Sequence, residues 1–351
     1  MDSKAKPTIK DIARLTGLSK GTVDRVLHNR AGVSRKSYEK VAKAIRDMGY
    51  EPNLHASILA QHKERTIVVM LPDSSGGDFW ELFEGGIARS KESSARFGIS
   101  VVRTGYDQND LESFRAACTR VLDLAPSGVV IAPMFRDETL LFADRLRGKG
   151  IPYVYVDTRL EEDGDYLAFY GMPAYRSGVL CASLITDSCR PEELEIVRIK
   201  RDKAHQSDPT VQRRRGFMDY MEKNCPDCRI GSIFIDPACP DKTLGALEAA
   251  LEGHPGLRHI VMFNSRVHLL SDFLERHGGE GIRVVGFDNL TANVESLRRG
   301  LVHTLITQHP DEQVFNAVAT LADFNVFGRK PSQKDNFVHM DILTRYNIDY
   351  Y

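Results

Sequence analysis

Hydroxyls at Ser19 and Thr22, cations at Lys20 and Arg25 and a carboxylate at Asp24 all fall between positions 19 and 25. An arginine can take a guanine edge bidentately and a hydroxyl can bond a phosphate oxygen without reading sequence, so the set suits nucleic acid. The plain alternative is a solvated charged face. Cys225-Pro226-Asp227-Cys228, with Cys239 nearby, has the spacing of redox or zinc chemistry. No histidine or second cysteine pair falls at ligand spacing and no strand leads directly into it, so it is read as a loop between a helix and a strand. The 11 histidines form no metal-like cluster. Glycine-rich nucleotide loops, a Gly-x-Ser-x-Gly elbow and a His-Glu-x-x-His helix are all missing. The sequence therefore predicts no enzyme, no catalytic residue, no metal and no cofactor; an α/β enzyme is the alternative from another class.

At roughly 150 residues per domain, 351 residues accommodate two or three domains and a large core. A composition of 42% hydrophobic and 27% charged residues is that of a globular protein. No apolar run approaches the roughly 18 residues of a membrane helix. With no apolar segment behind Met1-Asp2-Ser3-Lys4-Ala5-Lys6-Pro7, the expected location is cytoplasmic, and the six cysteines are expected as thiols. The net charge of -1 conceals an asymmetry: residues 1–65 hold 14 Lys and Arg against 7 Asp and Glu, and the remainder is acidic. A basic module is attached to an acidic body.

Local patterning divides the module further. Thr8-Ile9-Lys10-Asp11 has the form of a capping box with Asp in the Glu position, ahead of an apolar face of Ile9, Ile12 and Ala13, and Gly17 ends that helix. Ser19 caps a second helix, Lys20 to Leu27, whose Val23, Val26 and Leu27 pack back on the first. Ser34 caps a third, Arg35 to Met48, with Tyr38, Val41, Ala42, Ile45 and Met48 inward and Gly49 as its left-handed stop. Two short helices joined by a glycine-containing turn form a helix-turn-helix. Pro52 then opens a short helix-compatible run to Gln61. From Thr66 short apolar runs alternate with helical stretches: 66–71, 99–102, 128–132 and 152–156, then 194–199, 230–235, 259–263 and 282–287. This predicts α/β architecture in two doubly wound lobes with parallel sheets, whose ligands belong beyond the carboxyl ends of the strands.

Thr8 to Ala13, Gly17 to Leu27, Val33-Ser34 and Gly49-Tyr50-Glu51-Pro52-Asn53 closely resemble the headpiece of the LacI/GalR family of bacterial repressors. The resemblance implies that Lys20, Gly21 and Arg25 stand at base-reading positions, that Ser19 and Thr22 face phosphates, and that Thr8 belongs to the same DNA contact set. Asp24 stands where many members carry serine; its carboxylate cannot bond a phosphate, so it either orients Arg25 or another neighbouring basic side chain or accepts from a cytosine amine, and orientation is the preferred reading. Residues 51–65 correspond to the family's hinge and linker, with Asn53, Ala56 and Leu59 at the DNA. There Leu59 matches a wedge between base steps of the minor groove and Ala56 the contact between paired hinges. A plain linker is the alternative.

The stretch from Thr66 to near Gln308 resembles a periplasmic sugar-binding protein, the fold that this family fuses to its headpiece. Gly77-Asp78-Phe79-Trp80 looks like the family's aromatic element, which implies that Phe79 or Trp80 stacks on a sugar ring. Asp157, Arg213 in Arg213-Arg214-Arg215-Gly216-Phe217, Asn264, Asp288 and Gln308 match positions that reach ligand oxygens. Acceptors, amides and one guanidinium beside an aromatic wall suit a neutral polyol. Three places depart from the family: Ala132-Pro133 lacks an amide, Ser265 follows Asn264 where Asp is usual, and Phe169-Tyr170-Gly171-Met172-Pro173 replaces an Asp-Asn motif. The implied organisation is a helix-turn-helix headpiece at 1–50, a hinge at 51–65 and a periplasmic-binding-protein-like effector-binding and dimerisation domain at 66–351. The implied function is transcriptional repression by a homodimer on a palindromic double-stranded DNA operator, answering to a sugar or related small-molecule effector in the interlobe cleft, with no membrane partner. A ligand-independent regulator with a drifted cleft is the alternative. A transporter's free binding protein would need a signal peptide and no headpiece.

Overall fold

The computed structural model describes residues 7–27, 32–48, 64–74, 76–187, 190–200, 208–254, 256–277 and 281–351. It divides into two compact units, residues 1–62 and 63–351.

The first unit holds α1 (Ile9–Thr16), α2 (Lys20–Leu27) and α3 (Arg35–Met48). Both halves of the capping box form: the Thr8 amide donates to Asp11 Oδ2 at 3.0 Å and the Asp11 amide to Thr8 Oγ1 at 3.4 Å. Gly17 takes the left-handed conformation, φ 67°, that closes α1. Ser19 Oγ accepts from the Thr22 amide at 3.1 Å, which starts α2. Ile12, Val23, Val26, Val41 and Ala44 make the core. Two inward expectations for α3 are corrected, because Tyr38 is 46% exposed and Ala44, not Ala42, is buried. Helices of 8 residues cannot cover a helix of 14, so the buried stripe is confined to Val41, Ala44, Ile45 and Met48 and leaves the preceding turn in solvent. Gly49, Asn53, Ala56 and Leu59 lie outside the described residues.

The second unit contains two six-stranded sheets. In the first, β1 (Arg65–Pro72), β2 (Ile99–Tyr106), β3 (Gly128–Ile131), β4 (Tyr153–Val156), β5 (Ala168–Gly171) and β11 (Asp335–Phe337) are all parallel, in the order β11-β5-β4-β3-β1-β2. The second has β6 (Glu193–Ile199), β7 (Arg229–Ile235), β8 (His259–Met262), β9 (Arg283–Phe287), β10 (Thr304–Thr307) and β12 (Asp341–Leu343), in the order β12-β10-β9-β8-β6-β7, with β12 antiparallel. Each sheet is buried on both faces, which is why the central strands read as unbroken apolar runs. In the first lobe Ile67, Val69 and Leu71 face α4 (Glu84–Ala95) and α12 (Pro310–Phe327), whereas Val68 and Met70 face α5 (Leu111–Asp123) and α6 (Arg136–Gly148). In the second lobe α7 (Ala174–Thr186) and α8 (Asp208–Asn224) cover one face. Helices α9 (Pro240–Gly253), α10 (Ser271–Arg276) and α11 (Thr291–Arg298) cover the other.

All eight strands read from the sequence form. The four others are only three or four residues long. The chain leaves the first lobe after β5, returns after β10 to add α12 and β11, and leaves again for β12. Cys225 to Cys228 form a turn between α8 and β7, closed by the Cys228 amide on Cys225 O at 3.1 Å. Among the described residues no helix is long and apolar enough to cross a membrane.

Candidate ligand cleft

The two sheets are built alike, so β4 and β9 occupy the same place in each and end in an aspartate apiece. Asp157 and Asp288 both have φ 65°, a left-handed conformation that turns the chain at the strand end. Buried amides hold these turns. The Asp157 amide donates to Tyr170 O at 3.1 Å and to Gln313 Oε1 at 3.0 Å, and Gln313 Nε2 donates to Gln308 O at 2.9 Å. The Asp288 amide donates to Ile306 O at 2.9 Å while Asn293 Nδ2 donates to Asp288 O at 3.0 Å. Gln313 and Asn293 are completely buried. Nothing in the sequence pattern marks them out, because neither follows a strand.

Asp157 from one lobe and Arg213, Asn264, Asp288 and Gln308 on the other side line one cleft with Phe79 and Trp80. The cleft encloses about 640 Å³ of space between its walls, part of it open solvent. All seven side chains singled out in the sequence meet there. Asp78, Gln108, Met134, Pro209, Thr210, Ser265 and Arg266 complete the lining. Of the two aromatic residues, Phe79 is half-buried and presents the ring. Trp80 is 4% exposed, stacks on Phe83 at 5.4 Å and donates its Nε1–H to Gln108 Oε1 at 3.2 Å. Trp80 is therefore mainly core, with only an edge at the cleft.

Arg213 is buried, donates from Nη1 to Phe263 O at 2.8 Å and lies 4.5 Å above the Phe287 ring. Burial weakens its hold on its proton, against the pull of Asp288 and Asp157. Burial pushes the Asp157 carboxyl up to about 7, opposed by Arg213 and assisted by the Asp288 charge. Asp288 is likewise raised by burial, against Arg213 and the Gln308 amide that bonds it at 2.9 Å. A carboxyl whose folded-state pKa is raised confers stability that is complete below its unfolded value near 4 and lost as pH rises through about 7. The melting temperature of ligand-free Asp157→Asn should therefore exceed that of the wild type by a margin that widens from pH 5 to pH 8. A margin independent of pH in calorimetry would sink the burial account.

Arg213 reaches the cleft because α7 and α8 approach without side chains between them. A Cβ on Gly178 would stand 1.8 Å from Arg213 O, and one on Gly216 2.0 Å from Tyr175 O. Backbone must move to admit either, so Gly178→Ala is expected to cost about 1–3 kcal/mol and to displace Arg213. Unfolding midpoints in urea check this, and an unchanged midpoint would show that the helices separate freely.

In the first unit, Ser19, Lys20, Gly21 and Arg25 are exposed, and Thr22 and Asp24 are half-buried. Ser19 and Thr22 hydroxyls lie 2.9 Å apart, and Thr8 Oγ1 donates to Asp11 Oδ2 at 2.7 Å, so these hydroxyls already serve the helix starts. A Cβ on Gly21 would meet only Ser19 Oγ, at 3.8 Å. The fold thus does not require glycine there, although glycine inside a helix is about 1 kcal/mol worse than alanine. Among the described residues no group of three or more His, Cys, Asp and Glu side chains is arranged to hold a metal ion.

Residues 67–327 match the periplasmic binding protein domain and residues 8–53 match the bacterial regulatory proteins of the lacI family. The chain belongs to the lacI family of regulators. This regulator is similar to a solved structure from Bacteroides fragilis described as a LacI transcriptional regulator. The two share 32% identity at a TM-score of 0.75, over 82% of this chain and 100% of the other. It is also similar to the HTH-type transcriptional regulator CelR of Thermobifida fusca, at 29% identity over 44% of this chain and 45% of CelR. The match to CelR thus spans about half the length of that relative. Similarity to the ribose operon repressor of Halalkalibacterium halodurans extends further, over 92% of this chain and 91% of that protein, at 24% identity. The regulator carries a DNA-binding headpiece and a domain of periplasmic-binding-protein type, and it is not an enzyme.

Proposed function

We propose that the regulator acts as a homodimeric repressor on a palindromic operator and that a sugar or sugar derivative in the interlobe cleft controls it. The observation that carries the effector reading is the convergence of seven hydrogen-bonding, charged and aromatic side chains, from elements far apart in the chain, on one cleft. For DNA, the exposed Lys20, Gly21 and Arg25 sit on one short helix in the basic first 65 residues, with Thr8, Ser19, Thr22 and Asp24 beside them. Asn53, Ala56 and Leu59 are proposed to complete the operator contact through the hinge, the Leu59 side chain wedging the central step. A ligand that alters the angle between lobes biases the dimer between operator-competent and incompetent states by its differential affinity for them.

The single tryptophan, Trp80 at the cleft edge, offers a direct test. Intrinsic fluorescence is titrated with neutral sugars, sugar acids, polyols and sugar phosphates. Any compound giving a saturable change is then tested on operator DNA selected by the protein from a random pool. One class should both saturate the fluorescence and shift operator affinity. Operator binding that no such compound alters, with no thermal stabilisation, would favour the ligand-independent reading.

A further inference from the structure

We propose that the effector is an acidic sugar, a polyhydroxylated carbon chain or ring bearing one carboxylate, and that Arg266 is the residue that selects for the carboxylate. The inference rests on the cleft being the effector site. Two guanidinium groups among the described residues line the cleft, and they differ in their surroundings. Arg213 lies deep, donates to Phe263 O and feels the pull of Asp288 and Asp157. Arg266 is half-buried just beyond β8, and its backbone amide donates to Asn264 Oδ1 at 2.9 Å, which fixes the turn that carries it. Its guanidinium makes no hydrogen bond or ion pair among the described residues, although Asp78, Asp157 and Asp288 line the same cleft. A half-buried guanidinium that lines a cleft and forms no ion pair among the described residues has its partner on the ligand.

A second feature points the same way. Pro209 and Thr210, in the first turn of the 17-residue α8, also line the cleft. A helix of that length directs partial positive charge from its N-terminus, which favours an anion. Arg213 Nε is buried and has no hydrogen-bond partner. The rest of the lining is suited to hydroxyls: Asp157 and Asp288 accept, Gln308, Gln108 and Asn264 supply amides, and Phe79 offers a ring to C–H bonds. The anionic group is a carboxylate and not a phosphate, because Asp78, Asp157 and Asp288 among the described residues share the cleft and would repel a dianion more strongly than a single negative charge.

Calorimetric titration of the full-length protein with matched pairs tests this: D-glucuronate against D-glucose, D-galacturonate against D-galactose and D-gluconate against D-glucitol, with D-glucose 6-phosphate as the dianion. At least one acid should bind 10-fold or more tightly than its neutral partner. In Arg266→Gln that acid should lose about 10-fold to 100-fold in affinity, so that the acid-to-neutral ratio falls toward one, and Arg266→Lys should fall between. The melting temperature of Arg266→Gln should match the wild type, since the guanidinium has no partner within the described residues to lose. A neutral sugar that outcompetes its acid would overturn the proposal and leave the sugar cleft standing. Tighter binding of the phosphate, or an acid preference that survives Arg266→Gln, would also overturn it. Binding of none of these compounds would remove both the proposal and the reading on which it rests.

Discussion

Arg213→Met is expected to abolish effector binding and to lower the stability of the body by about 3–5 kcal/mol, the range found when one partner of a buried charge group is removed. Arg213 is 4% exposed, and it is the cation toward which both strand-end aspartates are drawn. Without it Asp157 and Asp288 face each other across the cleft with burial still opposing their ionisation, so at neutral pH both take up protons or draw water into the site. Methionine keeps much of the side-chain volume over the Phe287 ring, which separates loss of charge from creation of a cavity. Adding Asp157→Asn should recover part of the lost stability, because it deletes one of the stranded carboxylates, and should recover none of the ligand affinity. Urea unfolding and fluorescence titration of the two variants give both quantities. Ligand affinity at the wild-type level in Arg213→Met would take the guanidinium out of the recognition mechanism, whatever the stability data say.

The residues of this cleft were legible in the sequence to an unequal degree, and the reason lies in how each is positioned. Asp157 and Asp288 directly follow strands whose unbroken apolar runs are visible, and Asn264 lies one residue further past its own, so the rule that ligands sit beyond carboxyl ends finds them. Arg213 lies within a helix and was reached only through its resemblance to a family element. The structure supplies the physical reason for that element: Gly216 and Gly178 permit the helix contact that brings Arg213 in. Gln313 and Asn293 carry no local signal, since a buried amide on a helix looks like any polar helical residue until its partners are known. Arg266 was hidden as well. An arginine two residues past a strand-end asparagine carries no local signal, and the structure shows that its guanidinium forms no ion pair among the described residues.

The strands β11 and β12 were unreadable because three residues give no period, and each is an edge strand that pairs on one side only, with β5 and β10 respectively. In the headpiece the caps were legible to the residue, because capping is decided within four positions of the chain. The misplacement of Tyr38 came from extending a helical period past the point where neighbouring helices end. Periodicity states which face is apolar and says nothing about how far along it a partner reaches.

Arg25→Ala should weaken binding to the selected operator by about 10-fold to 100-fold, corresponding to about 1–3 kcal/mol for loss of a bidentate base contact, while binding to random-sequence DNA falls far less. Arg25 is exposed on α2 and makes no ion pair among the described residues, so its removal leaves the fold intact and the loss can be assigned to DNA. A phosphate contact would behave differently: it would weaken both DNAs alike and reduce the dependence of affinity on salt by about one counterion. Operator pools reselected with the variant should lose preference at one base pair per half-site and keep it elsewhere. Gly21 supplies a matched comparison, because alanine fits the headpiece there with only a 3.8 Å contact and should stabilise α2 by roughly 0.5–1 kcal/mol. If Gly21→Ala nonetheless weakens operator binding, the space above residue 21 is filled by DNA and not needed by the protein. Equal losses on operator and random DNA in Arg25→Ala would move Arg25 from the bases to the phosphates and leave sequence reading to Lys20 and the residues beyond α2.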